Sequence, residues 1–411
     1  MHARGGHSSQ QPGIWPTGES RWCPSALVLG IYSLGTMIQT RIQKSNMLSN
    51  EFKKQYLRTL ADCDHTLFRH PQRSMAERLQ AIIPLAAQYK EADCYGQGAL
   101  VNEFEQQTAD LLGHDAALFL PSGTMAQTMA LRIWAEQKNC NKVAFHPTSH
   151  LQLHEQNAYQ ALHGLEACLV GKPDDVISRE DLDAIPLPLA ALLLELPMRE
   201  IGGQLPTWDE LNAQQAWARE QGVALHLDGA RLWSCTEYYQ KSLAEIGSLF
   251  DSVYVSYYKD LDGIAGAMLA GSTDFICAAR IWTRRLGGNL ITLFPYILAA
   301  KQGVAVNLPL MPEFIAKAAI IAKLFNQQAA MRTIPLNPPC NLFHLVIEQN
   351  ADGLMPEVMK WSQQHKIALL PLPRTLTSTS CRFELTLGQN ALKISDQDWH
   401  KAIASFAFEV S

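Results

Sequence analysis

No charge of either sign dominates this 411-residue chain, in which 34 lysines and arginines stand against 39 aspartates and glutamates for a net charge of −5. A balance so even offers no general field to draw a nucleic-acid backbone or an anionic membrane, so neither partner is expected and a small or neutral one is favoured. The nine cysteines are odd in number, scattered from Cys23 to Cys381, and contain no CxxC pair. That spacing argues against a disulfide framework and a structural zinc site; no metal is expected, and reduced thiols in the cytoplasm fit better. Long apolar runs are missing as well. Residues 26–37 follow Arg4 and Arg21 somewhat as an export signal would, but they fall short of the ~20 residues a membrane span needs. Met37 and Met47 are alternative starts, and residues 1–46, with Gly5-Gly6, Ser8-Ser9 and Pro12, are expected to form a poorly ordered extension. No internal repeat is visible.

What is present is the composition of an ordinary globular protein, 47% apolar and 18% charged, with length for two or three domains at ~150 residues each. From about Glu51 helical and strand-like runs alternate. Residues 101–112 and 125–135 carry apolar side chains at helical spacing around a short run at 116–120. Residues 142–145, 167–170, 190–196, 224–227 and 252–257 read as buried strands, separated by helix-length stretches such as 208–221. Strands apolar on both faces belong in a mainly parallel sheet covered by helices. A (β/α)8 barrel stays open, but the rhythm breaks after Gly287: 295–314 looks helical, and 341–346, 367–371 and 381–387 look like strands of a separate small sheet. The expected class is α/β, with a large domain over 47–300 built on a mainly parallel sheet and a smaller α+β domain over 301–411.

Three places stand out chemically, each at the carboxyl end of an expected strand, where open α/β sheets bind ligands. Pro121-Ser122-Gly123-Thr124 precedes a helix and offers backbone N–H groups, two hydroxyls and a positive dipole end to an anion such as phosphate; taken alone, a plain N-cap is the commoner explanation. His226-Leu227-Asp228-Gly229-Ala230-Arg231 carries an acid out of an apolar strand, followed by a fixed cation. Such a pair could hold a heterocycle with a protonated ring nitrogen at one side and an anionic oxygen at the other, or could simply tie a loop. Lys259 ends the run 252–257; surface lysines are usually solvated, but one at a buried strand tip loses part of its hydration, and its neutral amine can form an imine. Together an anion cradle, an acid for a ring nitrogen, an arginine and an imine-forming lysine are what a pyridoxal phosphate enzyme requires.

The run Tyr95-Gly96 through Val101-Asn102 and Phe104-Glu105, then PSGTMA at 121–126, HLDGARLW at 226–233, Lys259 and Gly287-Gly288 resemble the threonine aldolase and β-eliminating lyase family of fold-type I pyridoxal phosphate enzymes. The likeness spans roughly residues 90–300. It implies that Lys259 is the Schiff-base lysine, Asp228 the partner of the pyridine nitrogen and Arg231 the neighbour of the phenolate oxygen, with Ser122, Gly123 and Thr124 at the phosphate. It further implies that His150 stacks on the cofactor ring, where it is also a candidate base for a β-hydroxyl proton. Arg382 would bind a substrate α-carboxylate, and Arg284 would be another cation close to the site. His146, His150 and His154 are spaced i, i+4, i+8, but Pro147 opposes a regular helix of metal ligands. The implied reaction splits a β-hydroxy-α-amino acid into glycine and an aldehyde in a homodimer or homotetramer. β-Elimination, other Cα chemistry and a catalytically weak cofactor-binding relative are the alternatives.

The chain also departs from the family pattern. Residues 62–75 lack the usual Ser-Asp-Thr opening, Met198 stands where a histidine is common, and Ile291 stands where an arginine is. Asp260 and Asp262 replace glycines, and two acids beside Lys259 would raise its pKa unless they point away.

Overall fold

The computed structural model describes residues 48–410; the expectations for the first 46 residues lie outside them. Helices α1 (Asn50–Ala61), α2 (Met75–Ala86) and α3 (Ala99–Leu112) precede the first strand of a large sheet, β1 (Ala116–Leu120). Next come α4 (Gly123–Lys138), then β2 (Lys142–Phe145), β3 (Glu166–Leu169) and β4 (Ala191–Glu195). After α5 (Trp208–Glu220) follow β5 (Ala224–Gly229), β6 (Ser252–Ser256) and β7 (Ala267–Gly271), then α6 (Thr273–Arg285), α7 (Phe294–Asn307) and α8 (Met311–Asn326).

The strand order is β1-β7-β6-β5-β4-β2-β3, parallel throughout except for β7. Every residue of β5, β6 and β7 is buried, which is why these segments read as uninterrupted apolar runs rather than alternating ones. Register fixes what the sheet presents at one edge. Glu195 lies opposite Asp228, Gly229 opposite Val255, Ser256 opposite Ala267, and Ala267 opposite Leu120. The carboxyl ends of β1, β4, β5 and β6 therefore share one edge, and the residues just beyond them meet there. This differs from a closed barrel: the sheet ends at β1 and β3.

A second, antiparallel sheet follows. It is built from β8 (Met331–Ile334), β9 (Leu342–Ile347), β10 (Thr375–Leu376) and β11 (Cys381–Thr386) in the order β10-β11-β9-β8, and packs with α8, α9 (Ala351–His365) and α10 (Asp396–Val410). Three details differ from the sequence reading. The expected helix over 295–314 is two helices bent by 63°: Pro309, in the break, has no N–H for the Ala305 carbonyl, and Pro312 sits in the first turn of α8, where its missing N–H costs nothing. Only Ile367–Ala368 of the expected strand 367–371 is extended; it pairs with His65–Thr66, away from the small sheet, and Pro371 and Pro373 interrupt the rest. The domain limits shift as well. Tyr56, Leu67 and Phe68 belong to the core of the C-terminal layer, and the Tyr56 hydroxyl donates to the Leu370 carbonyl at 2.8 Å, whereas Met311 and Phe314 at the start of α8 pack in the core of the large sheet. Among the described residues no single helix is long and apolar enough to cross a membrane.

Candidate active site

Alternation along β5 puts His226 and Asp228 on one face. His226 is fully buried there between Ser252 (Nδ1 to Oγ, 2.8 Å) and Gln127 of α4 (Nε2 to Oε1, 2.9 Å), so α4 covers that face and its N-terminus lies toward the Asp228 end. Tyr254 of β6 lies opposite Asp228. A Cβ on Gly123 would stand 2.0 Å from the Tyr254 hydroxyl, so only glycine lets the first turn of α4 approach this closely. Ser122 is the N-cap, its hydroxyl accepting from the Met125 N–H at 3.3 Å, and Thr124 is exposed beside it.

Asp228 is 2% exposed, and its Oδ1 accepts the Ala230 N–H at 3.1 Å. Burial pushes its pKa up, and the Lys259 charge is the main opposing influence. Lys259 responds reciprocally: burial lowers its pKa, Asp228 raises it and Arg231 lowers it again. The two groups are therefore close enough to bias each other's ionisation. The ammonium lies 5.9 Å from the centre of the Tyr258 ring. Glu195, beside Asp228 at the end of β4, is pushed up to about 7 by burial and by the Asp228 charge, and accepts the Arg199 N–H at 3.0 Å. His150 opens a short helix, and its Nδ1 pairs with Glu155 at 2.9 Å. It lies within electrostatic reach of both Asp228 and Glu195, which brings it to the same edge. Glu155 Oε2 is buried without a partner among the described residues.

The two unexpected acids each have an arginine partner, although the Asp260 charge still raises the Lys259 pKa. Asp260 takes a 2.5 Å bond from Arg231, and Asp262 pairs with Arg78 at 2.9 Å. Across the cleft, Glu384 of β11 gathers three cations: Arg199 Nε at 2.8 Å, Arg374 in direct contact, and Arg231 at 3.9 Å. Burial alone would raise the Glu384 carboxyl, but the three guanidiniums outweigh it and bring it to about 2. Glu200 continues the network to Arg374 and to His154 at 2.8 Å. The loop carrying Arg199 and Glu200 comes this close to the small sheet through Gly202, whose φ is +84° and whose Cβ would lie 2.1 Å from the Ile334 carbonyl. The cleft between these groups has a volume of about 780 Å³ and is lined by Lys259, Arg231, Tyr258, His70, Arg199 and Glu384 among others.

Of the residues singled out from the sequence, Asp228, Lys259, Arg231 and His150 interact with one another or with shared partners, and Ser122-Gly123-Thr124 stands at the α4 terminus facing them. Arg382 lies on the face of β11 shared with Glu384, but it is not among the cleft-lining residues, and Arg284 is exposed at the end of α6. The His150 and His154 rings lie 5.1 Å apart but have separate carboxylates, and His146 is held elsewhere by Thr148 and the Lys172 carbonyl, both at 2.7 Å, so the three do not form one ligand set. Glu195, Arg199, Glu384 and Arg374 were not singled out. Glu195 carries the same signal as Asp228, an acid closing an apolar strand; Arg374, between Pro373 and a two-residue strand, carries none.

These groups fit pyridoxal phosphate by their chemistry. A buried acid on which the lysine is the strongest charged influence suits a ring N–H, a desolvated amine suits an aldehyde, and a helix terminus with N–H groups and hydroxyls suits a phosphate.

The strand order, with β7 antiparallel and the lysine beyond β6, is that of the fold-type I pyridoxal phosphate-dependent enzymes. The sequence model of the β-eliminating lyase family matches residues 73–334. A solved structure from Listeria monocytogenes EGD-E, provisionally named an L-allo-threonine aldolase, is similar over 87% of this chain and 99% of its own, with 38% identity and a TM-score of 0.84. One from Exiguobacterium sp. 255-15, provisionally named an aromatic amino acid β-eliminating lyase/threonine aldolase, is 37% identical with a TM-score of 0.84 over 86% and 99% of the two chains. The low specificity L-threonine aldolase of Escherichia coli K12 is 28% identical over 320 residues, 75% of this chain and 90% of that one. The chain belongs to the β-eliminating lyase family.

Proposed function

We propose that this protein is a pyridoxal phosphate-dependent lyase that cleaves a β-hydroxy-α-amino acid of the threonine type into glycine and an aldehyde. The observation that carries the reading is the placement of a desolvated Lys259 just beyond β6 and a buried Asp228 at the end of the neighbouring β5, close enough for each to act on the other's ionisation. Bound there, pyridoxal phosphate supplies the electron sink for the bond that breaks at Cα. Lys259 contributes the amine that holds the aldehyde carbon. Asp228, kept from water, stays anionic once a ring N–H faces it and so keeps that nitrogen protonated. Ser122, Gly123 and Thr124 offer the α4 terminus to the phosphate. Arg231, whose buried Nε has no partner among the described residues, would donate to the phenolate oxygen. His150 donates Nδ1–H to Glu155, which leaves Nε2 free to accept the β-hydroxyl proton.

A homodimer or homotetramer is part of the reading. Tyr95 and Ile291, more than half exposed and joined by the Tyr95 N–H to the Ile291 carbonyl at 3.0 Å, offer with Leu290 an apolar edge for a second copy. The cytoplasm suits the free thiols found at all eight described cysteines. The reaction is tested by incubating the cofactor-loaded protein with threonine, allo-threonine and phenylserine. Glycine and the matching aldehyde are expected; ammonia and a 2-oxo acid would assign β-elimination instead, and no turnover across a broad amino-acid panel would leave a binding protein only.

A further inference from the structure

Every α-amino acid brings a carboxylate into the cleft, and a fixed guanidinium fork suits it best. The family likeness points to Arg382, but the structure offers another arginine. Arg382, Glu384 and Thr386 share one face of β11; Glu384 and Thr386 line the cleft with Lys259, whereas Arg382 lies further along, opposite Thr375 and Val346. Arg199 does line the cleft. Its backbone N–H donates to Glu195, the register partner of Asp228, so its position is tied to the strand ends that carry the reactive groups. Its Nε donates to Glu384, while its terminal NH1 stands 3.7 Å from Glu200, beyond a hydrogen bond. The exposures separate the three arginines: the Arg199 side chain is 32% accessible, Arg374 17% and Arg231 13%. Arg374 is occupied by Glu200 and Glu384, and Arg231 by Asp260. Glu384 keeps Arg374 when Arg199 turns toward an incoming anion, so the turn strands no buried charge.

The geometry points to Arg199 as the residue that binds the α-carboxylate of the amino-acid substrate, with Glu384 as its positioning residue; the assignment rests on the amino-acid lyase reading above. It is tested by titrating the absorbance of the holoenzyme with glycine and, in parallel, with methylamine, the same amine without a carboxylate. R199Q is expected to weaken glycine binding at least tenfold while methylamine binding stays within twofold and the resting spectrum is unchanged. R199K, which keeps the charge but not the fork, is expected to fall between R199Q and wild type, and serves if R199Q does not fold. Wild-type glycine affinity in R199Q, or loss of discrimination between the two amines in R382Q but not in R199Q, would overturn the assignment. A wild-type protein whose spectrum responds to neither amine would sink the lyase reading itself, and this assignment with it.

Discussion

Burial lowers the pKa of Lys259 more than Asp228, Glu195 and Asp260 raise it, so its amine is expected to be a better nucleophile than that of a surface lysine. The same economy of space acts at Gly123. An added methyl group would collide with the Tyr254 hydroxyl at 2.0 Å and its ring carbon at 2.5 Å, and both are fixed in the sheet core. G123A is therefore expected to cost about 1–3 kcal/mol of stability, as overpacking does, and to weaken retention of the cofactor phosphate. Urea denaturation and dialysis of the holoenzyme measure the two effects. Y254F in the same chain should restore only part of the loss, since the ring carbon remains. At this scale the sequence was legible where a polar residue ends an apolar run, as Asp228 and Lys259 do. It was silent on Arg199 and Glu384, which lie 185 positions apart and acquire meaning only when the chain brings them together.

Among elements, β5 and α4 are joined through His226, which burial holds neutral with a pKa lowered to about 3. A histidine whose folded pKa is depressed favours the fold above the ordinary value of about 6.5, and that contribution fades as pH falls from there toward 3. His344, lowered to about 4 chiefly by burial, acts in the same direction, while Glu195, raised to about 7 by burial, acts oppositely as pH rises from about 4.5. H226Q is expected to lower Tm at neutral pH and to flatten its decline between pH 6.5 and 4.5 relative to wild type. An unchanged slope would contradict the role given to the buried ring. The strands around His226 could be read from composition because both faces of each are buried. The two-residue β10 and the four-residue β8 could not, because short edge strands owe their existence to their partners; the break at Leu308, by contrast, falls beside Pro309 and just before Pro312.

The whole molecule is held across its cleft by one chain of charges, from Asp260 through Arg231, Glu384 and Arg374 to Glu200. Its members come from the loops of the large sheet and from the small one. Glu384, brought down to about 2, contributes stability that is full above the ordinary carboxylate value of about 4.5 and is lost as pH falls from there toward 2. E384Q removes the anion and leaves Arg374 with Glu200 alone, so it is expected to lose about 3 kcal/mol at pH 7 in urea denaturation, and to show a flatter acid limb below pH 4.5. A loss unchanged between pH 7 and pH 3 would contradict the ionic account. The layered α/β plan was legible in the alternation of runs; the meeting of the two layers was not, because α1 reaches back across the molecule to pack with α9 and α10.

One measurement bears most directly on the central claim, that the amine of Lys259 and the carboxylate of Asp228 face opposite ends of one pyridoxal phosphate. Borohydride reduction of the cofactor-loaded protein, followed by peptide mapping, is expected to bleach its colour and leave a pyridoxyl group on Lys259 alone, with no label in K259A and a displaced absorbance maximum in D228N. A colourless protein that gains no absorbance on addition of pyridoxal phosphate, or a label on any other lysine, would contradict the account.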